Sequence, residues 1–207
     1  MFSTERYSEG VPRPRSFDVD TALDRAVDVF WEHGYEGTSL VQLCEAMGIN
    51  KPSLYAAFGD KQQLFEKVVA RYVAGAPAWE QQAFALPDVR DAVTTYLHRT
   101  VDAVTSDTRP HGCLVVQSVG KCSPENRPVR DHVAAARAAG LLSIRARLDR
   151  AHTECDPAMT ADPATLALLV ATVAEGMAVR ADDGTPAADL HRMVDLAVTA
   201  MFANAPA

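Results

Sequence analysis

Residues 38–65 constrain the fold of this chain more than any other segment. Ser39 and Gln42 have the spacing of a capping box, and leucines at helical intervals follow them. Gly48 is suited to end that helix in the left-handed conformation, and Pro52 is tolerated only in the first turn of the next helix. The segment therefore predicts two short helices joined by a tight turn, followed by the start of another helix near Lys61.

The second of these short helices has one apolar side and one polar end. Leu54 and Phe58 lie four residues apart and are predicted to face inward. A short helix that presents amide, ammonium, hydroxyl and phenol groups is suited to enter a DNA major groove. The side chains left for the outside are Asn50, Lys51, Ser53, Tyr55 and Ala57.

The remainder of the chain also shows helical periodicity and no strand pattern, so the sequence predicts an all-α fold. We expect a flexible arm over 1–16, a helix-turn-helix domain of three helices over 17–62, and a helical regulatory and dimerisation domain over 63–207. Arg13 and Arg15 in the arm are candidates for a minor groove or phosphates, or belong to a solvated tail. The other predicted helices cover about 18–33, 61–74, 88–105, a short segment from 113, 128–153, 163–180 and 187–203.

Charge and composition restrict the function in several ways. The net charge is −7, and the first 75 residues carry 8 Lys and Arg against 11 Asp and Glu, a net charge of −3. Because the acidic residues concentrate on the first helix, which can face away from DNA, local contacts remain possible, but few phosphate contacts are expected. We expect no secretory signal, no membrane-spanning run, no disulfide scaffold and a cytoplasmic location.

The run Gly34–Ser39, Gly48–Lys61 and Leu64–Phe65 resembles the DNA-binding domain of TetR-family repressors over roughly residues 16–75, with Leu-Tyr-x-x-Phe-x-x-Lys at 54–61 as its most diagnostic part. The resemblance implies operator DNA as a partner. It implies that Tyr55 and Lys61 contact phosphates and that the start of the second short helix reads bases. The implied contact residues are Ser39, Gln42, Asn50, Lys51, Pro52, Ser53, Tyr55 and Lys61. The alternative is three packed helices of an unrelated all-α protein.

The predicted helix over 163–180 is apolar on nearly every side and therefore needs a partner on its second face. We expect a homodimer through helices at about 163–180 and 187–203, as the resemblance also implies; burial inside one copy is the alternative. The resemblance further implies an unidentified small-molecule effector that favours a DNA-incompetent dimer. Candidate polar residues for its pocket, each also suited to packing or the surface, are Tyr72, Tyr96, His111, Gln117 and Arg137.

Cys113 follows a glycine and opens a predicted short helix, where backbone amides favour a thiolate. Gly112-Cys113-Leu114 is similar to a segment in family members that sense electrophiles or oxidants, and Cys122 is a candidate resolving thiol. A structural cysteine is the alternative. The spacing of His111, Cys113 and Cys122 fits no compact zinc pattern, so no metal site is expected there. No cofactor is expected either.

An enzyme and a helical binding protein are the two alternatives to a DNA-binding regulator. An enzyme is disfavoured because the sequence contains no phosphate loop, no nucleophile elbow and no HExxH motif. A helical adaptor or a small-molecule-binding protein without DNA binding would not need the exposed face at Lys51, Ser53 and Tyr55.

Overall fold

A computed structural model of the chain describes residues 17–75, 78–119 and 122–203; the predicted arm over 1–16 lies outside them. Within the described residues the fold is all-α, as predicted, with one short 3₁₀ turn at Pro124–Asn126. The α-helices are α1 (Val19–Gly37), α2 (Leu40–Met47), α3 (Lys51–Phe58), α4 (Lys61–Ala74), α5 (Ala78–Ala85), α6 (Val89–Val104), α7 (Leu114–Gln117), α8 (Arg127–Thr153), α9 (Pro163–Asp182) and α10 (Ala187–Met201).

The first four helices surround an aromatic core. The Phe65 ring of α4 meets Phe30 of α1 edge-on, with ring centroids 5.0 Å apart, and it meets Tyr35 in the same way at 5.1 Å. All three side chains are buried. At the rim, the Arg71 guanidinium donates to both carboxylate oxygens of Asp24, at 2.9 and 3.0 Å, and so joins α4 to α1. This packing fixes the orientation in which α1 and α4 hold α2 and α3.

Residues C-terminal to α4 complete this aromatic core. Leu114 of α7, Val119, and Val129 and Val133 of α8 belong to the same buried cluster as α1–α4. The polypeptide backbone also links the two parts, because the Tyr35 N–H donates to the Ser118 carbonyl oxygen at 2.8 Å. Helices α1–α4 therefore share a core with α7 and the start of α8.

A second core lies among α6, α8, α9 and α10. Its fully buried side chains include Leu97, Leu148, Met177 and Val194, one from each helix. The N-termini of α6 and α9 are capped by Asp88 and Asp162, whose carboxylates accept from backbone N–H groups three residues on. These side chains bring together four helices that the sequence predicted.

α9 and α10 retain an apolar face that the described residues of the chain leave exposed. Leu168, Leu169 and Val179 of α9 are 58%, 45% and 46% exposed, and Leu196 of α10 is 72% exposed. By length and composition α9 could span a membrane, whereas the sequence predicted no membrane-spanning run. Within its most apolar window, 33% of the residues are buried. We call these four residues the exposed apolar face.

The structure departs from the sequence prediction at two helices. The first predicted helix was expected to end at Gly34; instead Gly34 forms a kink, with φ +67° and ψ 174°, and one further turn extends to Gly37. α5 was not predicted at all. It buries only Ala83 fully and lacks an apolar stripe, so its packing on α6 holds it in place.

Candidate nucleic-acid interface

α2 begins with the capping box expected from the sequence. The Ser39 hydroxyl oxygen accepts from the Gln42 N–H at 3.2 Å, and the Gln42 side-chain oxygen accepts from the Ser39 N–H at 2.9 Å. The Gln42 amide is therefore engaged within its own helix. The N–H groups of Leu40 and Val41 remain without a helical acceptor and are the groups at this terminus suited to a phosphate.

The turn between α2 and α3 also follows the prediction. Gly48 takes the left-handed conformation, with φ +68° and ψ 31°, and its N–H caps α2. Asn50 is the N-cap of α3, because its side-chain oxygen accepts from the Ser53 N–H at 2.9 Å. The Asn50 oxygen is thus occupied, which leaves only its side-chain NH₂ for a base or phosphate.

α3 is anchored on one side and open on the other. Leu54 and Phe58 are 0% and 2% exposed in the aromatic core, whereas Tyr55 is 49% exposed. Lys51 and Pro52 are also exposed; Ser53 is half-buried. The structure therefore brings the predicted contact residues of α3 to one open surface and excludes a core role for Tyr55.

Lys61 occupies the first turn of α4, where Asp60 caps the helix by accepting from the Gln63 N–H at 2.8 Å. Its ammonium lies over the Tyr35 ring, 4.5 Å from the centroid. Burial lowers the pKa of Lys61, and the nearby Glu36 carboxylate opposes that shift. Sequence reasoning did not identify Tyr35 as the support for this lysine; its position in the Gly-Tyr-Glu-Gly run was the available signal.

The candidate effector residues do not converge on one cavity. Tyr96 stacks on Phe84 of α5 with ring centroids 5.0 Å apart, His111 is exposed, and Arg137 donates to the Val115 carbonyl oxygen at 2.9 Å. Two cavities lie elsewhere in the described part of the chain. One, of about 400 Å³, is an open groove between α9 and α10; the other, of about 330 Å³, is lined by 122–124, Arg127 and Arg130.

Three of the candidates do meet at the start of α7. Cys113 is its N-cap residue, and its N–H donates to the Gln117 side-chain oxygen at 2.7 Å. The Tyr72 hydroxyl donates to the Cys113 sulfur at 3.3 Å. Because α7 is a single turn of four residues, the helix dipole at Cys113 is weak. The hydrogen-bond donor to the Cys113 sulfur is the Tyr72 hydroxyl. Burial raises the pKa of Tyr72 and keeps that hydroxyl protonated.

The Tyr72 ring also contacts the DNA-proximal helices. It meets Trp31 of α1 edge-on, with ring centroids 5.1 Å apart. Cys122 does not share the surroundings of Cys113: the half-buried Cys122 packs against the aromatic core, and Cys113 packs against the second core. A continuous contact therefore runs from Cys113 through Tyr72 to α1, whereas the predicted pairing of Cys113 with Cys122 has no contact to support it.

The α2–turn–α3 unit is capped, packs on α1 and α4, and is followed by a helical C-terminal half. This arrangement defines a DNA-binding transcription regulator of the helix-turn-helix class. Residues 22–68 match the family described as bacterial regulatory proteins, tetR family. The chain is 31% identical to the HTH-type transcriptional repressor ComR of Escherichia coli K12 over 201 residues, covering 96% of this chain and 94% of ComR. It belongs to the TetR family.

Two further relatives extend the comparison over nearly the whole chain. The HTH-type transcriptional repressor BdcR of Escherichia coli K12 is 25% identical over 208 residues, covering 97% of this chain and 94% of BdcR. A solved structure of a cysteine mutant of the TetR-family regulator CifR, complexed with 26-bp double-strand operator DNA, is 43% identical. It has a TM-score of 0.87 and covers 91% of this chain and 99% of the CifR chain. These relatives are transcription regulators.

Proposed function

We propose that this regulator is a cytoplasmic homodimeric repressor that places one α3 in each of two successive major grooves and leaves its operator when an effector acts on the regulatory half. The observation that carries the proposal is the open surface of α3, where Lys51, Pro52 and Tyr55 are exposed while Leu54 and Phe58 anchor the helix. The repressor ComR and the operator-bound CifR support it by similarity.

Within this proposal the contact residues have different tasks. The Tyr55 hydroxyl and the Lys61 ammonium hold phosphates, and the amides at the start of α2, next to Ser39 and Gln42, hold another. Lys51, Ser53 and the Asn50 NH₂ group face base edges, and Pro52 and Ala57 supply apolar contact. Since Lys61 rests on Tyr35, its ammonium is positioned before DNA arrives, which reduces the entropy lost on binding.

A fluorescence-anisotropy titration with the DNA upstream of the protein's own gene tests this assignment. We expect Lys61→Ala to weaken binding on operator and unrelated DNA alike and to reduce the slope of log K against log salt by about one unit per lost phosphate contact. Tyr55→Phe removes only a hydroxyl from an exposed ring and should weaken both by a similar factor. Lys51→Ala should instead lower the ratio of operator affinity to unrelated-DNA affinity. If the lysine reads a base, the loss corresponds to about 1–3 kcal/mol of binding free energy.

The control for these variants is Lys67→Ala. Lys67 is an exposed lysine of α4 that lies away from the start of the helix. It should leave operator affinity unchanged. If Tyr55→Phe and Lys61→Ala bind the operator as tightly as the wild-type protein while remaining folded, the contact assignment is wrong. If the wild-type protein binds no DNA, the proposed repressor function is wrong, and a helical adaptor or a small-molecule-binding protein without DNA binding becomes the interpretation.

Cys113 is the candidate point of signal entry. We infer that modification of its sulfur displaces Tyr72, whose ring contacts Trp31 of α1, and so changes the spacing of the two recognition helices. A reversibly bound small molecule remains the alternative effector. In that case Tyr72, Tyr96, His111, Gln117 and Arg137 stay candidates for its site, which would have to open between the helices.

Thiol labelling distinguishes the two signals. Burial raises the pKa of the Cys44 and Cys122 thiols, whereas Cys113 has a hydroxyl donor at its sulfur. In a Cys155→Ser background, which removes the one exposed thiol of the described residues, we expect maleimide to modify Cys113 before Cys44 and Cys122 and to release operator DNA. Cys113→Ser should stay bound. Release of Cys113→Ser by the same reagent, or equal labelling rates, would exclude Cys113 as the sensor.

A further inference from the structure

Two histidines from distant parts of the sequence face each other between α6 and α10. The Nδ1 atoms of His98 and His191 are 2.8 Å apart, and the rings are stacked at 26° with centroids 5.0 Å apart. On the outer side of each ring, His98 Nε2 lies 3.1 Å from Asp195 Oδ1 and His191 Nε2 lies 3.2 Å from Asp102 Oδ1. Each carboxylate comes from the helix opposite its histidine.

The outer carboxylates decide which ring nitrogens carry hydrogen. A carboxylate only accepts hydrogen bonds, so Asp195 and Asp102 each favour a hydrogen on the adjacent Nε2. In the neutral imidazoles this places a lone pair on both Nδ1 atoms. Two such lone pairs on nitrogens 2.8 Å apart repel unless a proton or a metal ion binds to them, so the arrangement calls for a cation between the rings.

The geometry points to a metal ion as that cation. We propose that His98 and His191 form a two-histidine site for a divalent transition metal that accepts nitrogen ligands at right angles, such as Ni²⁺. With metal–nitrogen bonds of about 2.0 Å, two ligands at a right angle lie about 2.8 Å apart. Hydrogen bonding of the second ring nitrogen to a carboxylate is the arrangement that orients metal-binding histidines.

The surroundings are compatible with such a site. The side chains of His98 and His191 are 30% and 33% exposed, so water has access to the remaining coordination positions. Among the described residues, no three His, Cys, Asp or Glu side chains are grouped to hold a metal directly, so the protein supplies two ligands and two outer carboxylates. The Arg99 guanidinium lies 3.9 Å from Asp102 Oδ2, the carboxylate oxygen that His191 does not contact, and partly offsets its charge.

Occupancy would join α6 to α10 through two metal–nitrogen bonds. The site is independent of the recognition helix and of the DNA-contact assignment. Its effect on the protein is that of a ligand that binds only the folded state and raises the midpoint of thermal unfolding.

Isothermal titration calorimetry of the tag-free full-length protein with Ni²⁺ tests the proposal. We expect one Ni²⁺ per chain and a rise in the unfolding temperature. His98→Ala and His191→Ala should each weaken binding by more than about 100-fold, and Asp102→Asn and Asp195→Asn by about 10- to 100-fold. The matched control is His152→Ala, which removes an exposed histidine in the last turn of α8 and should bind Ni²⁺ like the wild type.

Circular dichroism of each variant distinguishes loss of metal binding from loss of folding. The two Asp→Asn changes preserve side-chain volume. The proposal is overturned if the wild-type protein takes up no stoichiometric Ni²⁺, or if the His98→Ala/His191→Ala double variant takes up as much. The pair then holds a shared proton only.

Discussion

Leu169→Glu should convert the protein from a dimer to a monomer and reduce operator affinity by about 100-fold or more. The change puts a charge in the middle of the exposed apolar face, where Leu168 and Val179 also lie uncovered. A dimer that engages two half-sites gains an avidity of about 10²–10⁴ over one α3 alone, and separation of the subunits loses it. Sedimentation velocity at micromolar concentration and anisotropy with operator DNA measure the two effects.

Leu142→Glu is the matched control, because Leu142 is an exposed leucine on α8, outside the exposed apolar face, and at 66% it is more exposed than Leu169 at 45%. It should remain dimeric and bind the operator. A wild-type protein that sediments as a stable monomer, or a Leu169→Glu variant that remains dimeric, would contradict the proposed interface and leave the uncovered face of α9 to another partner.

Gly34→Ala should destabilise the protein by about 2–3 kcal/mol. At φ +67° and ψ 174° the Gly34 backbone occupies a region that is essentially restricted to glycine. A Cβ atom there would lie 3.3 Å from the Ser118 carbonyl oxygen, the same oxygen that accepts from the Tyr35 N–H. The substitution therefore strains the backbone and presses on the hydrogen bond that joins α1 to the α7 region. Urea unfolding at one fixed protein concentration measures the change.

Gly140→Ala is the same chemical change, but we expect the opposite effect on the free energy of unfolding. Gly140 lies inside α8, and a Cβ atom at this position would meet nothing within 4 Å. Alanine should raise the free energy of unfolding by about 0.5–1 kcal/mol. Equal effects of the two substitutions would show that the kink at Gly34 does not need glycine.

The parts of the fold that the sequence predicted are those that local chemistry determines. The capping box at Ser39 and Gln42, the left-handed Gly48 and the first-turn Pro52 each act within a few residues, so α2 and α3 were readable in advance. α5 was missed because it buries one alanine fully, and its aromatic side chains find their partner, Tyr96, in another helix.

The candidate site divides in the same way. The inward and outward sides of α3 followed from the spacing of Leu54 and Phe58, whereas the position of Lys61 over Tyr35 depends on how α4 packs on α1. The pair of His98 and His191 joins residues 93 positions apart, and no local pattern indicates it. Tertiary packing alone brings such groups together.

The shared aromatic core has a consequence for engineering this regulator. Exchanging the DNA-binding parts of related proteins is attractive for building new genetic switches, and the family resemblance over roughly residues 16–75 indicates a cut after α4. Here such a graft would expose the apolar pocket that Leu114, Val119, Val129 and Val133 fill, and it would break the contact between Tyr35 and Ser118. A working chimera would have to carry α7 and the first turns of α8 together with α1–α4, so the transferable unit is discontinuous in the chain.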